Sequence, residues 1–333
     1  MKTTTKLLLL LFVVASLLAH SMQIATTTED FTGYVANDDV AGAVRLLAQC
    51  GFRHIDVSLA LSCFNGSRML SDDWQVWVAE IRQAAVETGV DFVQAHGSDG
   101  VFAPGPEYDR KMAQLKREIQ VCKALGIPGM VVHAVWKPNT TREEFLDANE
   151  RFYRDLLAEA ETVGVNIYTE NTCRQNSTTY YLYDGVDMNV LRKRLGNHPL
   201  FGFCWDVGHA NCHGVDQYKA ILEMGNGLMA VHIHDTSSRT GLDAHLAPYT
   251  GNTNYDAIIN GLLDIDFKGP FTLEAFSLPV PQDFYFCGRP HFQQKGPEFD
   301  RLGMLPLEFK LRSERLMFDI VKYMLDTYNC FEE

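Results

Sequence analysis

The chain has 333 residues, of which 46% are apolar and 21% are charged, and its formal net charge at pH 7 is −13. This composition is typical of an ordinary globular protein. The acidic balance argues against a nucleic-acid partner, because phosphate contacts need a concentrated positive surface. The densest cationic run, Arg192-Lys193-Arg194, is interpreted as cations near a helix C-terminus, where the helix dipole favours them.

The first residues have the pattern of an export signal. Lys2 and Lys6 form a short positive region, Leu7–Leu18 form an apolar stretch, and Ala19-His20-Ser21 supplies small residues where a signal peptidase cleaves. We expect cleavage after Ser21 and a mature protein, residues 22–333, in the periplasm or outside the cell. An uncleaved N-terminal anchor is the alternative. No later apolar run is long enough to cross a bilayer, so no membrane span is expected after cleavage.

Short apolar runs alternate with segments of helical periodicity along the rest of the chain. Several runs are apolar throughout, as in strands of a parallel sheet covered on both faces. The predicted strands are Met22–Thr27, Arg53–Leu59, Val90–His96, Gly129–Val135, Val165–Glu170, Leu200–Asp206, Leu228–His234 and Pro270–Phe276. Predicted helices include Asp73–Thr88, Asp109–Leu125, Arg142–Val163, Tyr255–Leu263 and a C-terminal helix at 306–330.

A glycine recurs between a helical segment and the next strand, at Gly51, Gly89, Gly126 and Gly164. Glycine takes the left-handed conformation that ends a helix, so these positions predict helix caps followed by short loops. Eight such units favour a single (β/α)8 TIM barrel over an open doubly wound sheet, and no glycine-rich phosphate loop follows the first strand.

Polar residues collect where the predicted strands end, which is the catalytic face of such barrels. Each one alone has a simpler explanation as a helix cap or a hydrogen-bonded structural residue. As a set, three buried carboxylates beside several imidazoles would be costly without a cation. The residues are His96, His133, Glu170, Asp206, His232 and Glu274, with Asp56 inside the second strand.

Three carboxylates and one imidazole, from Glu170, Asp206, His232 and Glu274, make an oxygen-rich ligand set. Such a set suits Mn²⁺, Mg²⁺ or Co²⁺, and Zn²⁺ also accepts mixed oxygen and nitrogen ligands. We expect one divalent ion and favour Mn²⁺.

Four motifs resemble those of the xylose isomerase-like barrels, which include sugar-phosphate isomerases and epimerases, ketose 3-epimerases and the class II AP endonucleases. The resemblance covers about residues 22–276. The motifs are Tyr168-Thr-Glu170-Asn, Trp205-Asp206-Val-Gly-His209, Val231-His232-Ile-His-Asp235 and Thr272-Leu-Glu274.

The resemblance implies that Glu170, Asp206, His232 and Glu274 hold one divalent cation and that His209 contacts the substrate. It also implies that residues 243–251 form a loop that closes the site after the seventh strand. Two departures stand out. The usual glycine after the loop proline is Tyr249, and residues 278–305 form an extension without a counterpart.

A hard cation bound to a hydroxy-ketone or hydroxy-aldehyde sugar would stabilise the enediolate formed when the neighbouring C–H proton leaves. In related epimerases a pair such as Glu170 and Glu274 removes and returns this proton. The expected function is thus a metal-dependent isomerase or epimerase of a small carbohydrate, with His209 orienting the substrate. We expect further substrate contacts from His96, His133, Asp243 and His245, and from Trp136 and Trp205 if these two do not simply pack in the core.

Two alternatives stay open. One is an endonuclease-like phosphodiester hydrolase with three Zn²⁺ ions, in which additional ligands would come from His96, His133, His209, Asp243 and His245. The acidic charge and the predicted export argue against it. The other is a non-catalytic sugar-binding barrel, which would not require all four expected ligands. The sequence leaves the oligomeric state open, including a homo-oligomer.

Overall fold

Eight parallel strands close into a barrel in the computed structural model, which describes residues 21–172, 180–237, 242–275 and 307–333. Each strand pairs with the next, and the last pairs with the first through Ile24 and Phe271, which closes the ring. The predicted (β/α)8 barrel is thereby confirmed. The barrel strands are β1 (Met22–Thr27), β2 (His54–Ser58), β3 (Asp91–His96), β4 (Gly129–His133), β5 (Asn166–Glu170), β6 (Phe201–Asp206), β7 (Leu228–Ile233) and β10 (Phe271–Leu273).

Helices follow the strands and cover the outside of the barrel. Three of the four predicted glycine caps are present: Gly89, Gly126 and Gly164 have φ angles of 69°, 79° and 72° and end three of the helices. The fourth prediction is corrected, because Cys50 caps that helix and Gly51, with a φ of 105°, follows it. The α-helices are α1 (Thr32–Val35), α2 (Val40–Gln49), α3 (Trp74–Thr88), α4 (Pro106–Leu125), α5 (Arg142–Val163), α6 (Gly185–Arg194), α7 (Val207–Cys212), α8 (Gln217–Met224), α9 (Tyr255–Asp264) and α10 (Leu307–Thr327).

The main hydrophobic core lies between the barrel and the helices. Large aromatic residues fill it, and Trp77, Phe145 and Phe203 are almost completely buried. A smaller cluster of Val131, Tyr168, Cys204 and Ala230 forms a separate core. Burying each large apolar side chain contributes about 1.5–3 kcal/mol, which gives the strand ends a rigid support.

Three further short strands lie outside the eight-stranded ring. The strands β8 (Asp235–Ser237) and β9 (Leu242–Leu246) pair antiparallel directly after β7. The strand β11 (Phe331–Glu332) pairs in parallel with the beginning of β1. The sequence did not predict these strands. The strands β8 and β11 have only three and two residues, too few for a periodicity to be recognised, and β9 overlaps the stretch expected to be a closing loop.

Two predictions fall outside the described residues. The export signal lies almost wholly within residues 1–20, and the extension at 278–305 lies within residues 276–306. Both stay predictions. In the part of the chain that the structure describes, no helix combines the length and the hydropathy needed to cross a bilayer.

Candidate metal centre and active site

The four expected metal ligands meet at the C-terminal end of the barrel. Glu170 and Asp206 are the last residues of β5 and β6, His232 lies near the end of β7, and Glu274 directly follows β10. Neighbouring strands bring them together, since Asp206 aligns with His232. All four residues are buried. The four ligand atoms, one from each residue, all lie within 4.8 Å of one another.

The atoms at the centre of this group lack hydrogen-bond partners. His232 Nδ1 lies 3.2 Å from Glu170 Oε1 and 3.1 Å from Glu274 Oε2. None of these three buried atoms makes a hydrogen bond in the structure. Leaving buried carboxylate oxygens unsatisfied is costly, and a divalent cation among them would remove that cost. The donor set therefore fits a divalent metal ion.

The other nitrogen of His232 faces a buried polar pair. Its Nε2 lies 3.0 Å from Gln94 Nε2 and 3.6 Å from Asp56 Oδ2, and Gln94 donates a 2.7 Å hydrogen bond to Asp56. Contacts of this kind fix the orientation of a ligating imidazole. No role was predicted for Asp56, and Gln94 was not identified, although a glutamine inside a predicted buried strand was an available signal.

Asp206 serves both as a helix cap and as a candidate ligand. Its Oδ1 accepts a 2.6 Å hydrogen bond from the backbone N–H of His209 in the first turn of α7. The side chain of Asn171 bridges to its backbone, accepting from Asp206 N at 2.7 Å and donating to Asp206 O at 2.8 Å. Capping and ligation are thus compatible at this position.

A second cluster lies beside the first and is centred on Asp243. His209 Nε2 lies 3.1 Å from Asp243 Oδ2, and His245 Nε2 lies 3.2 Å from Asp243 Oδ1. The Nδ1 atoms of the two imidazoles donate to the backbone carbonyls of Asn171 at 2.9 Å and Glu274 at 2.8 Å. Each Nδ1 therefore carries a proton, and each Nε2 is turned towards the carboxylate. Together with His234, these residues form another group able to hold a metal ion.

His96 and His133 both contact the carboxylate of Glu170. Their Nε2 atoms lie 3.4 Å and 3.2 Å from Glu170 Oε2. The Nδ1 of His96 donates to the carbonyl of Gly97 at 3.1 Å, and that of His133 lies 3.2 Å from Asp99 Oδ1. The structure therefore brings both predicted strand-end histidines to the site.

Charge pairing dominates the electrostatics of the centre. Burial alone would raise the pKa of Glu170, but the charges of His232 and His133 outweigh it and hold that pKa well below its ordinary value. Burial would lower the pKa of His245, but Asp243 outweighs it and raises that pKa to about 10. Without an ion, protons on the imidazoles balance the carboxylates, so metal binding is expected to release protons.

The two tryptophans have different environments. Trp136 follows β4 and is 49% exposed on the rim. Trp205 is completely buried in the core between barrel and helices, and its Nε1 donates to Gln217 at 2.8 Å. A substrate contact by Trp205 is therefore corrected to core packing. Successive residues of a strand point to opposite faces, so Asp206 faces the site and Trp205 faces α8.

The sequence did not predict a further carboxyl group at the C-terminal end of the barrel. Glu29 follows β1 and accepts a 2.6 Å hydrogen bond from Ser58 Oγ. Burial raises its pKa, and the nearby charge of Glu274 raises it further. Glu29 was not predicted, because it lies two residues beyond the end of the predicted first strand.

The fold and the site together define a β/α barrel with a candidate metal centre at the C-terminal ends of its strands. A family model described as xylose isomerase-like TIM barrel matches residues 44–290. The chain belongs to this family.

Relatives in this family differ in activity. An L-ribulose 3-epimerase of Methylomonas sp. strain DH-1 is 26% identical over 262 residues, which are 75% of this chain and 82% of that protein. A probable endonuclease 4 of Citrifermentans bemidjiense is 27% identical over 158 residues, covering 43% of this chain and 54% of that protein. The structure of a D-allulose 3-epimerase from Methylomonas sp. in complex with D-allulose has a TM-score of 0.65 at 18% identity, covering 91% of this chain and 97% of that one. This structural likeness shows a shared fold.

Proposed function

We propose that the protein is a divalent-metal-dependent isomerase or epimerase of a small carbohydrate. The observation that carries the proposal is the convergence of Glu170 Oε1, His232 Nδ1 and Glu274 Oε2, three buried atoms without hydrogen-bond partners. The similarity to an L-ribulose 3-epimerase along most of both chains supports the same class of reaction.

The residues present suit proton transfer next to a carbonyl group. A divalent cation held by Glu170, Asp206, His232 and Glu274, with Mn²⁺ favoured, would draw electron density from the carbonyl and make the neighbouring C–H more acidic. Glu170 is completely buried and has imidazoles against both of its oxygens, whereas Glu274 is 7% exposed. Glu274 is therefore the carboxylate better placed to take the proton from carbon. To return a proton on the other face, Glu170 would first take one from the His133 imidazolium, whose Nε2 lies 3.2 Å from its Oε2, and Glu274 would pass its own proton to solvent. His209 would orient a substrate oxygen.

The first prediction tests this mechanism through the substitution Glu274→Gln. The amide cannot accept the proton, so we expect the rate of C–H exchange with solvent to fall at least about a hundredfold, the usual contribution of a general base. Exchange is measured by NMR in D₂O, with Mn²⁺ replaced by Mg²⁺ and a panel of free ketoses, aldoses, inososes and sugar phosphates. A folded Glu274→Gln protein that kept the parental exchange rate would refute the role of Glu274.

The second cluster favours another candidate function. Asp243, His209 and His245 present the donors of a further metal ion, each imidazole having its Nδ1 proton fixed by a backbone carbonyl. His96 and His133 likewise turn their Nε2 atoms towards Glu170, with Nδ1 facing the carbonyl of Gly97 in His96 and the carboxylate of Asp99 in His133. A multinuclear phosphodiester hydrolase would use all of these residues, and the similarity to a probable endonuclease 4 supports this alternative.

The second prediction separates the two functions by metal counting. For the isomerase or epimerase, the purified protein holds about one divalent ion, and His209→Ala or the pair Asp243→Asn/His245→Ala lowers turnover without changing that number. The physical reason is that Asp243 is already balanced by protonated His209 and His245, whose pKa values it raises. Two or more zinc ions, lost in these variants together with cleavage of an abasic-site duplex, would favour the hydrolase.

A further inference from the structure

His234 is a completely buried histidine directly after β7, and neither the ligand set nor the proton transfer described above uses it. Its Nε2 lies 2.9 Å from both carboxylate oxygens of Asp206. An ionised carboxylate only accepts hydrogen bonds, so His234 Nε2 carries the proton and donates it to both oxygens. Together with the backbone N–H of His209, this donor leaves the carboxylate of Asp206 little freedom to rotate.

The face of the His234 ring contacts the strand β9. It stacks on the ring of His245 with a centroid distance of 4.0 Å and an interplanar angle of 10°. His245 in turn donates to the carbonyl of Glu274 and lies beside Asp243. One imidazole therefore contacts both a candidate metal ligand and the segment expected to close the site.

The neighbouring helix leaves space for this ring. A Cβ atom on Gly208 would lie 2.0 Å from His234 Cε1, a distance that real structures do not tolerate. Gly208 is the second residue of α7, between Asp206 and His209, so the start of this helix is shaped around the imidazole. The arrangement depends on a glycine at a helical position, where glycine is otherwise unfavourable.

We propose that His234 is a positioning residue that orients Asp206 for metal binding and, through its stacking on His245, holds β9 over the site. The proposal rests on the proposed function, because it requires a metal ion at Asp206. The hydrogen bond and the stacking contact use different parts of the imidazole, so separate substitutions can remove them.

The experiment compares His234→Phe with His234→Gln. Phenylalanine keeps a ring that can stack on His245 but has no donor, so the affinity for Mn²⁺ should fall by about 10- to 100-fold, as for other residues that orient metal ligands. Glutamine keeps a donor but has no ring, so its affinity should stay near that of the parent, whereas amide hydrogen exchange in residues 242–247 should become faster. The affinity is measured by titration calorimetry of the metal-free protein.

A matched control is His198→Phe, which replaces a histidine that pairs with Glu161 at the surface. This variant should change neither the affinity for Mn²⁺ nor the exchange of β9. A parent protein that binds no Mn²⁺ would refute the proposed function itself. Parental affinity in His234→Phe together with parental exchange in His234→Gln would refute the role of His234 alone.

A measurement on the unmutated protein keeps the test valid if a variant does not fold. In the Mg²⁺-loaded protein with ¹⁵N-labelled histidine, NMR should show a proton on His234 Nε2 that exchanges slowly with solvent. An unprotonated His234 Nε2 would overturn the proposal, because this nitrogen could then not donate to Asp206.

Discussion

At the scale of single residues, the site depends on which nitrogen of each imidazole is already bonded. A backbone carbonyl accepts from Nδ1 in His96, His209 and His245, so the Nε2 atoms of these residues face a carboxylate. His234 follows the same pattern, since its Nδ1 lies 3.3 Å from the carbonyl of Asp235 and its Nε2 faces Asp206. The four imidazoles therefore differ in which carboxylate they face, and only the tertiary structure determines that.

Tyr249 gives a prediction at this scale. Its φ of 69° lies in the left-handed region, which favours glycine. Because a Cβ atom is disfavoured there, we expect Tyr249→Gly to be more stable than Tyr249→Ala by about 1 kcal/mol. Both variants lose the tyrosine ring, so the difference between their free energies of unfolding measures the cost of a Cβ atom in this backbone conformation. Equal denaturant midpoints for the two variants would show that the loop carries no such strain.

At the scale of elements, a buried group of charges joins α10 to the loop after β1. Lys310 Nζ lies 2.5 Å from Glu314 Oε1 on α10. Asp30, which accepts a 2.7 Å hydrogen bond from Thr26, interacts electrostatically with both. Burial raises the pKa of Asp30 and of Glu314, and Lys310 partly offsets it. The lysine thus compensates two carboxyl groups that are removed from water.

We expect Lys310→Met to destabilise the protein in a pH-dependent way. Removing one partner of a buried ion pair costs about 3–5 kcal/mol. Both carboxyl groups have folded-state pKa values above their ordinary 3.8 and 4.5, so their contribution to stability is present at low pH and lost as the pH rises. The loss in free energy of unfolding should therefore be large at pH 8 and smaller near pH 4. A loss independent of pH would contradict this account.

The metal centre gives a prediction for the whole molecule. Because the proposed ion would bind only the folded arrangement of four strand ends, Mn²⁺ at a concentration of a hundred times its dissociation constant should raise the free energy of unfolding by about 2.7 kcal/mol. Thermal unfolding with Mn²⁺ and with EDTA measures the gain. Glu170→Gln and Asp206→Asn should both lose it. Unchanged metal content in these two variants would show that the assigned ligands are wrong.

Much of the fold was predictable because it depends on local patterns. Apolar runs, helical periodicity and the caps at Gly89, Gly126 and Gly164 act within about twenty residues, and together they indicated eight β/α units. The C-terminal ends of parallel barrel strands lie on one face of the barrel, so the sequence alone predicts that Glu170 and Asp206 lie at the site. The suggested substrate contact of Trp205 was wrong for a reason the sequence already contained: successive strand residues point to opposite faces, so placing Asp206 at the site turns Trp205 towards the helices.

By itself, the sequence determined the barrel, the face that carries the site and the residue types able to bind a metal ion, because each follows from neighbours along the chain. Only the tertiary structure decided that His234 reaches Asp206, that Gln94 and Asp56 lie behind His232, and that Asp243 lies between two imidazoles. These contacts join residues from different strands and loops. Their distances are set by how the whole barrel closes, and no local pattern encodes that closure.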